Sequence, residues 1–508
     1  MLKTRTYLGL LTPCLALHGS QRKIGLFSVI VIAVTSMIGS GWLFSAQLNA
    51  QLAGNYAFIA WIIAAAVAII VGLCFSRLCI LFPERGINAK CTSISHGKDF
   101  GMIFAFAIWF GLLAMIPTEA QATTQYLSPF IKFVTLYQND ALTITGKFAA
   151  LVILLVYFII NYFGITLLAK VNNISTVFKV SIPLLTIIIL LAAHFDTTNF
   201  NLSANANEYT LKTVKTALIG AGLIYAFNGF QVVAAFASEI KNPQRNVPLA
   251  IIISILFTLG IYMLLQLAFM GAIPTEIAIK GWSQLNFNSP LVNLTMLLGL
   301  NFIVIALIAD SIVSPSITGM TYLGACSRML YAMAEQGQMP RWIAKLCPKH
   351  NLSKRSLILN FIISAIILFN SSSWAALMVL TTAFNILGYI GAPLALGVLD
   401  KKRRFFYGVV FVMLGLLLST LNTQDFILSN LAISVMMVIY AGVQLKNGKR
   451  FNLRSFSFIA YLWILMLVAH LNWAVVILAF AFFFYATGEK FTQQSKILNP
   501  PEAKFTSA

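Results

Sequence analysis

The chain has 508 residues, 59% of them hydrophobic and only 9% charged, with a mean hydropathy of +0.87. Soluble domains run nearer a quarter charged, so a water-soluble enzyme or binding module is excluded. The formal charge of +20 excludes less, because the cations sit between apolar runs, where they orient a membrane protein. No nucleic-acid partner is expected; the partner surface is a lipid bilayer.

Taken in chain order, residues 1–23 read as a cytoplasmic N-terminus, since Arg22 and Lys23 close its short apolar patch and no cleavable signal peptide is evident. Fourteen apolar spans follow. They are Ile24–Leu48, Tyr56–Leu81, Met102–Tyr126, Phe148–Ala169, Val171–Ala193, Thr213–Ser238, Val247–Ile273, Pro290–Leu323, Leu357–Phe369, Trp374–Val398, Phe405–Thr420, Phe426–Leu445, Phe456–His470 and Trp473–Thr487. Ten of the fourteen reach the ~20 residues that cross a hydrocarbon core; Leu357–Phe369 and three of the last four are shorter. The last two, separated by "HLN", also read as one re-entrant hairpin. The longest inner segment, about residues 324–356, reads as a connector helix and a turn. A tail, 489–508, closes the chain. Residues 24–398 are expected to form a transporter core and 399–488 to add further helices.

The cations test this map. Of 34 Lys and Arg, only Lys132, Lys147, Lys212, Lys215 and Lys280 fall in outer segments and Lys179 falls within a span. The rest lie on the inner side, a strong positive-inside bias that fits an even number of spans with both termini cytoplasmic. The expected location is a bacterial inner membrane. The six cysteines lie in spans or inner segments, so no disulfide is expected. No ligand spacing for a metal occurs, and no cofactor is expected. His18, His96, His194, His350 and His470 flank spans or lie near the N-terminus, and they read as solvated or interfacial.

Two spans carry residues a membrane helix tolerates poorly: "GSG" at 39–41 in the first and "GLIYAFNGFQ" at 222–231 in the sixth. Unpaired main-chain groups cannot face lipid, so irregular backbone there must line a cavity or meet a ligand. Glycines that only let helices pack closely are the competing reading. Spans one and six are five apart, an odd number, so matching interruptions in two groups of five imply an inverted repeat. At each break one half-helix offers free N–H groups and the other free carbonyls. A zwitterionic α-amino acid suits both without any charged side chain.

The motifs carry a resemblance. "MIGSGWLFSA" resembles the first-helix motif of amino acid permeases of the amino acid–polyamine–organocation superfamily. "FNGFQVVAAFASEIKNPQRNVPLAI" resembles its sixth-helix motif and inner-loop signature, and "SRMLYAMAEQGQMPRW" the segment after its eighth helix. "GSGWLF", "IPTEAQATTQYLS" and "SPSITGMTY" are most similar to the aspartate–proton symporter type. The resemblance implies an all-α polytopic membrane protein with a five-plus-five inverted-repeat core, discontinuous helices 1 and 6, and alternating access. It implies a substrate carboxylate at Ser40 and the N–H groups of Gly41 and Trp42, and an ammonium at the carbonyls of Met37, Tyr225 and Asn228. Tyr225 stands at a gating-aromatic position. Phe227 adjoins the second break. Gln231 stands where arginine–agmatine exchangers carry Glu, which argues against cationic substrates. Ile116, Gln231 and Thr382 or Asn385 are the candidate side-chain contacts.

Charged groups inside spans cost about 2.5–3.5 kcal/mol each even on permissive scales, so each needs a reason. Lys179 resembles a fifth-helix lysine that proton-coupled members place at the sodium site of their relatives; snorkelling to the inner face is the alternative. Glu119 is a candidate for lining the pocket, binding a proton, or a structural pair. Asp310 is a candidate for proton coupling, for pairing with Lys179, or for capping a kink at Pro315. Glu239, beside "KNP", reads as structurally paired.

The function expected is a proton-coupled secondary transporter of an acidic or small neutral amino acid, as monomer or homodimer. Exchange and sodium coupling are the alternatives within the class, and a sensor or channel on the same fold lies outside it. A nucleotide-driven pump lacks its GxxxxGK[ST] loop, and no catalytic cluster supports an enzyme.

Overall fold

The structure is a computed structural model in which residues 24–82, 87–163, 165–201, 209–235, 240–347, 353–371 and 373–488 are described. Glu239, His18, His350 and the two termini lie outside the described residues. Helices dominate. They are α1 (Leu26–Met37), α2 (Gly41–Ala53), α3 (Ala57–Leu81), α4 (Ile87–His96), α5 (Lys98–Leu127), α6 (Ile144–Tyr162) and α7 (Ile165–Ala193). The sixth span is α8 (Leu211–Gly220), α9 (Leu223–Ala226) and α10 (Gln231–Ala235). Then come α11 (Pro243–Ala272), α12 (Pro290–Leu297), α13 (Asn301–Glu335), α14 (Lys354–Asn370), α15 (Trp374–Tyr389) and α16 (Gly391–Leu399). The chain closes with α17 (Arg404–Leu418), α18 (Thr423–Lys446), α19 (Phe456–Leu467) and α20 (Asn472–Ala486). Seven described stretches are long and apolar enough to cross a membrane by length and composition.

Side-chain period decides which way each helix faces. On α6, Gly146, Ala150, Leu154, Tyr157 and Asn161 are buried, while Phe148, Val152, Leu155, Val156 and Ile159 are exposed. One stripe therefore packs and the other meets lipid, the arrangement a 3.6-residue period produces. The centre is α5. Nearly every residue of it is buried, and α13 and α15 flank it. Small residues make that packing close: Gly111 of α5 lies against the Asn385 side chain of α15, and Gly388 of α15 against Ile108 of α5.

Several sequence expectations change. Residues 290–323 are not one span: α12 stops at Leu297, the chain turns through Gly299 in the left-handed region, and α13 starts afresh at Asn301. Pro315 does not end α13, which runs on to Glu335, so the first third of the supposed inner connector is the same helix continued. Between the second and third spans an extra helix, α4, packs along α5, with Ser93 set against Gly101. His96 at its end is buried rather than solvated, its Nδ1 2.7 Å from the Ser95 hydroxyl and its ring stacked on Phe100. The all-α class has one small exception. Tyr137–Gln138 and Ala141–Leu142 form a two-residue-turn hairpin, because Asn139 and Asp140 both accept positive φ. α19 and α20 are separate helices of 12 and 15 residues, each shorter than a full crossing.

Candidate substrate and coupling site

The first break is real in the backbone. α1 ends at Met37, Ile38–Ser40 are non-helical, and α2 begins at Gly41. The sixth span is interrupted twice, which the sequence reading had merged into one: at Ala221–Gly222, with Gly222 left-handed at φ +73°, and again at Phe227–Phe230. The two breaks interlock. Gly229 has φ +132°, and a Cβ there would stand 2.7 Å from the carbonyl carbon of Ser36 and 2.8 Å from the nitrogen of Met37. A Cβ on Gly39 would meet the Glu119 carboxylate at 2.8 Å. Gly229→Ala is therefore expected to force α1 and the second break apart, adding a strain of about 1–3 kcal/mol for the φ alone. The check is a lowered unfolding temperature of the purified protein with loss of uptake; an unchanged melt would show that the breaks do not touch this closely.

Glu119 joins the two breaks. One carboxylate oxygen accepts the main-chain N–H of Ser40 at 2.8 Å, and the other accepts the Tyr225 hydroxyl at 2.7 Å. The helix that places it, α5, carries Pro117 two residues earlier. The Ser40 hydroxyl accepts the Trp374 indole N–H at 3.0 Å and lies 3.4 Å from the Tyr225 hydroxyl. The N–H groups of Gly41 and Trp42 have no hydrogen-bond partner among the described residues. First-turn amides of α2 are thus aimed at the break, where one is already met by a carboxylate and two remain.

The carbonyl side is braced by Tyr262 of α11. Its hydroxyl lies 3.2 Å from the Met37 carbonyl and 3.1 Å from that of Ala226, touching both breaks at once. The Met37 carbonyl also accepts Gly39 N–H at 3.0 Å, and the Tyr225 carbonyl accepts Asn228 N–H at 2.9 Å. Phe227 turns its ring away into an aromatic cluster with Trp61 and Tyr262. Gln231 accepts Gly229 N–H at 2.8 Å and donates to the Tyr389 hydroxyl, which donates in turn to Asn228 Oδ1 at 2.7 Å. Deleting that hydroxyl in Tyr389→Phe removes the donor to Asn228 Oδ1. The expected cost is about 1–3 kcal/mol, read as a lower melting temperature in detergent.

Lys179 of α7 is buried and does not snorkel. Its ammonium donates to the Thr35 carbonyl at 3.1 Å and to the Thr318 hydroxyl at 2.7 Å, tying the end of α1 to α13. Both Glu119 and Asp310 lie within its electrostatic reach. The expected contacts of Asp310 are not made. No ion pair with Lys179 forms within 4 Å among the described residues, and neither carboxylate oxygen has a hydrogen bond. Pro315 sits inside an unbroken helix with no cap from it. The Trp42 indole N–H, also without a partner, faces this carboxylate short of hydrogen-bond geometry. Of the other predicted contacts, Ile116 is buried one turn before Glu119, Thr382 bonds its own helix at Met378, and the Asn385 side chain packs on Gly111.

A cavity of about 230 Å³ opens above this site, lined among others by Gln47, Gln51, Gln125 and Asn288, with Phe44 and Trp374 at its base. Those two rings stack at 4.3 Å, and Trp374, which lines the cavity, is the residue that donates to the Ser40 hydroxyl. At the opposite end of the bundle Ile24 and Ile240 form a parallel bridge, and Lys241 N–H reaches the Ile24 carbonyl at 3.0 Å. One end is open and the other tied. Sequence reasoning missed Trp374, Tyr262 and Tyr389. Each is a polar-tipped aromatic inside an apolar span, indistinguishable by pattern from packing or lipid-facing residues. The one available signal was Gln266, four residues after Tyr262; its amide receives Trp61 and Asn49 and donates to the Ala46 carbonyl, locking α2, α3 and α11.

Interrupted helices meeting face to face in a bundle built from two sets of five spans define a membrane transporter of the inverted-repeat, alternating-access class. The chain belongs to the amino acid permease family, whose model matches residues 24–500. It is 39% identical over 393 residues to the glutamate/serine transporter AimA of Bacillus subtilis (strain 168), covering 76% of this chain and 73% of that one. To the aspartate–proton symporter of the same organism it is 31% identical, covering 76% and 75%. Among solved structures it resembles a nucleobase–cation symport-1 family transporter in a closed conformation with bromovinylhydantoin bound. The TM-score is 0.57 with 12% identity over 94% of this chain and 95% of that one, a likeness of fold alone.

Proposed function

We propose that this permease carries an acidic or small neutral amino acid together with protons. The observation that carries the reading is Lys179, whose ammonium bridges the carbonyl at the end of α1 and a hydroxyl of α13. A carbonyl and a hydroxyl presented by two helices would suit a sodium ion; an ammonium there takes the cation's place and brings a transferable proton. Glu119 and Asp310 in its field complete a coupling set. The substrate carboxylate meets the amides of Gly41 and Trp42 beside the Ser40 hydroxyl, and takes over Ser40 N–H from Glu119 as that side chain lets go. The names of the two relatives, a glutamate/serine transporter and an aspartate–proton symporter, support the same substrate class. Gln231, an amide tied into Tyr389, adds no charge that would select a cation.

The test is uptake of labelled amino acids into proteoliposomes with and without an inward proton gradient, competed by each of the twenty amino acids. Saturable, gradient-driven accumulation competed by glutamate, aspartate or serine is expected. Gradient-independent accumulation, sodium dependence, or competition by arginine and lysine would overturn it.

A further inference from the structure

A second crevice is lined by none of the residues at the helix breaks. It is a trough of about 850 Å³ between α5, the segment after α13, and α18. That is within the range of ligand sites, about 300–1,000 Å³. Its walls are apolar: Met102 and Phe106 from α5 face Val435, Met436 and Ile439 from α18. Val435 and Ile439 are 48% and 62% exposed, so the trough opens toward the surrounding lipid rather than into the bundle.

One end of the trough is collared by cations. Arg341 and Lys449 line it, and the Lys98 ammonium stands 3.2 Å from where a Cβ on the lining residue Gly337 would be. Lys98 lies within electrostatic reach of both Arg341 and Lys449. Asp99, which accepts the Tyr440 hydroxyl at 3.0 Å and Asn452 N–H at 2.9 Å, offsets part of the charge of Lys98, and the three cations outnumber it. All three cations fall in segments the charge distribution places inside, where anionic lipid headgroups are met.

An apolar trough open to the bilayer and ending in net positive charge matches an amphiphile with an anionic head. We infer that this crevice binds an anionic phospholipid, with acyl chain along α18 and phosphate at Arg341, Lys449 and Lys98. A free phosphate would leave the apolar walls uncovered, and a neutral lipid would leave the cations unmatched. Gln444, whose amide holds the Gly337 carbonyl at 3.2 Å, fixes the loop that presents Arg341.

The experiment compares the melting temperature of the full chain in detergent with added phosphatidylglycerol, cardiolipin, phosphatidylcholine or inorganic phosphate, with retained lipid counted by native mass spectrometry. Ligand linkage predicts a rise of about 5 °C or more for the two anionic lipids over phosphatidylcholine. Arg341→Gln/Lys449→Gln, at exposed positions, is expected to lose that difference and the retained lipid. Val435→Trp, which fills the trough from its lipid-exposed side, is expected to lose the retained lipid with the cations intact. Equal stabilisation by phosphatidylcholine, equal stabilisation by inorganic phosphate, or anionic lipid retained by both variants would overturn the inference. None of these readouts uses transport, so they stand or fall apart from the proposed substrate.

Discussion

Lys179→Ala is expected to reduce proton-driven uptake by at least about 100-fold, while labelled substrate still binds within about tenfold of the unaltered protein. The geometry gives both halves. The ammonium supplies two charge-assisted hydrogen bonds, each worth roughly 1.5–3 kcal/mol, and they join α1 to α13. Removing them unties the helix that must move relative to its scaffold. They do not belong to the amides of Gly41 and Trp42, so the binding contacts stay. Lys179→Arg separates a tie from a proton carrier. A guanidinium can reach the Thr35 carbonyl and Thr318 hydroxyl but does not release a proton. A structural tie would be restored by Arg; a coupling group would not, and Arg should exchange labelled for unlabelled substrate without concentrating it. Proton-dependent accumulation surviving in either variant would remove Lys179 from the coupling set.

Much of this architecture could be read from residues alone because membranes punish ambiguity. Lipid forbids unpaired backbone, so "GSG" at 39–41 and "FNGF" at 227–230, paired five spans apart, favour structured interruptions over glycines that only ease packing, and both are interruptions. Lys179 stood out for the same reason: a cation buried in a span must have partners, and it has two. What escaped has a common cause. The extra break at Gly222 depends on a positive φ that a glycine permits but does not announce. The extension of α13 to Glu335 depends on packing against neighbours, since the polar residues after Leu323 read equally as loop. Trp374 as the floor of the outer cavity, and Tyr262 as the brace on both breaks, bring together residues hundreds of positions apart. Period and composition hold no record of such pairings. Asp310 illustrates the reverse error: its spacing from Ser314 and Thr318 put it on the right face, but sharing a face with a partner's partner did not bring it within 4 Å of Lys179.

The second large effect belongs to Glu119, and it runs in opposite directions for binding and for turnover. As a carboxylate it accepts from two donors at once, Ser40 N–H on the first break and the Tyr225 hydroxyl on the second. A substrate carboxylate seeks the same amide. On the proposed function Glu119 is an internal competitor, whose release would couple arrival of the substrate to a change between the two breaks. Glu119→Gln weakens that competitor: a carboxamide has one accepting oxygen, is uncharged, and turns its NH2 group toward one of the two donors. The expected result is substrate binding about tenfold tighter, some 1.4 kcal/mol, with gradient-driven uptake slower by at least about tenfold because the group no longer exchanges a proton. Equilibrium binding of labelled substrate, measured beside initial uptake rates and the melting temperature, decides the matter. A brace with no part in coupling would give weaker binding and a lower melting temperature together, since the loss of a charged acceptor at Ser40 would loosen the site it holds. Tighter binding with failed accumulation is the outcome that competition for the same main-chain donor predicts and a mere brace does not.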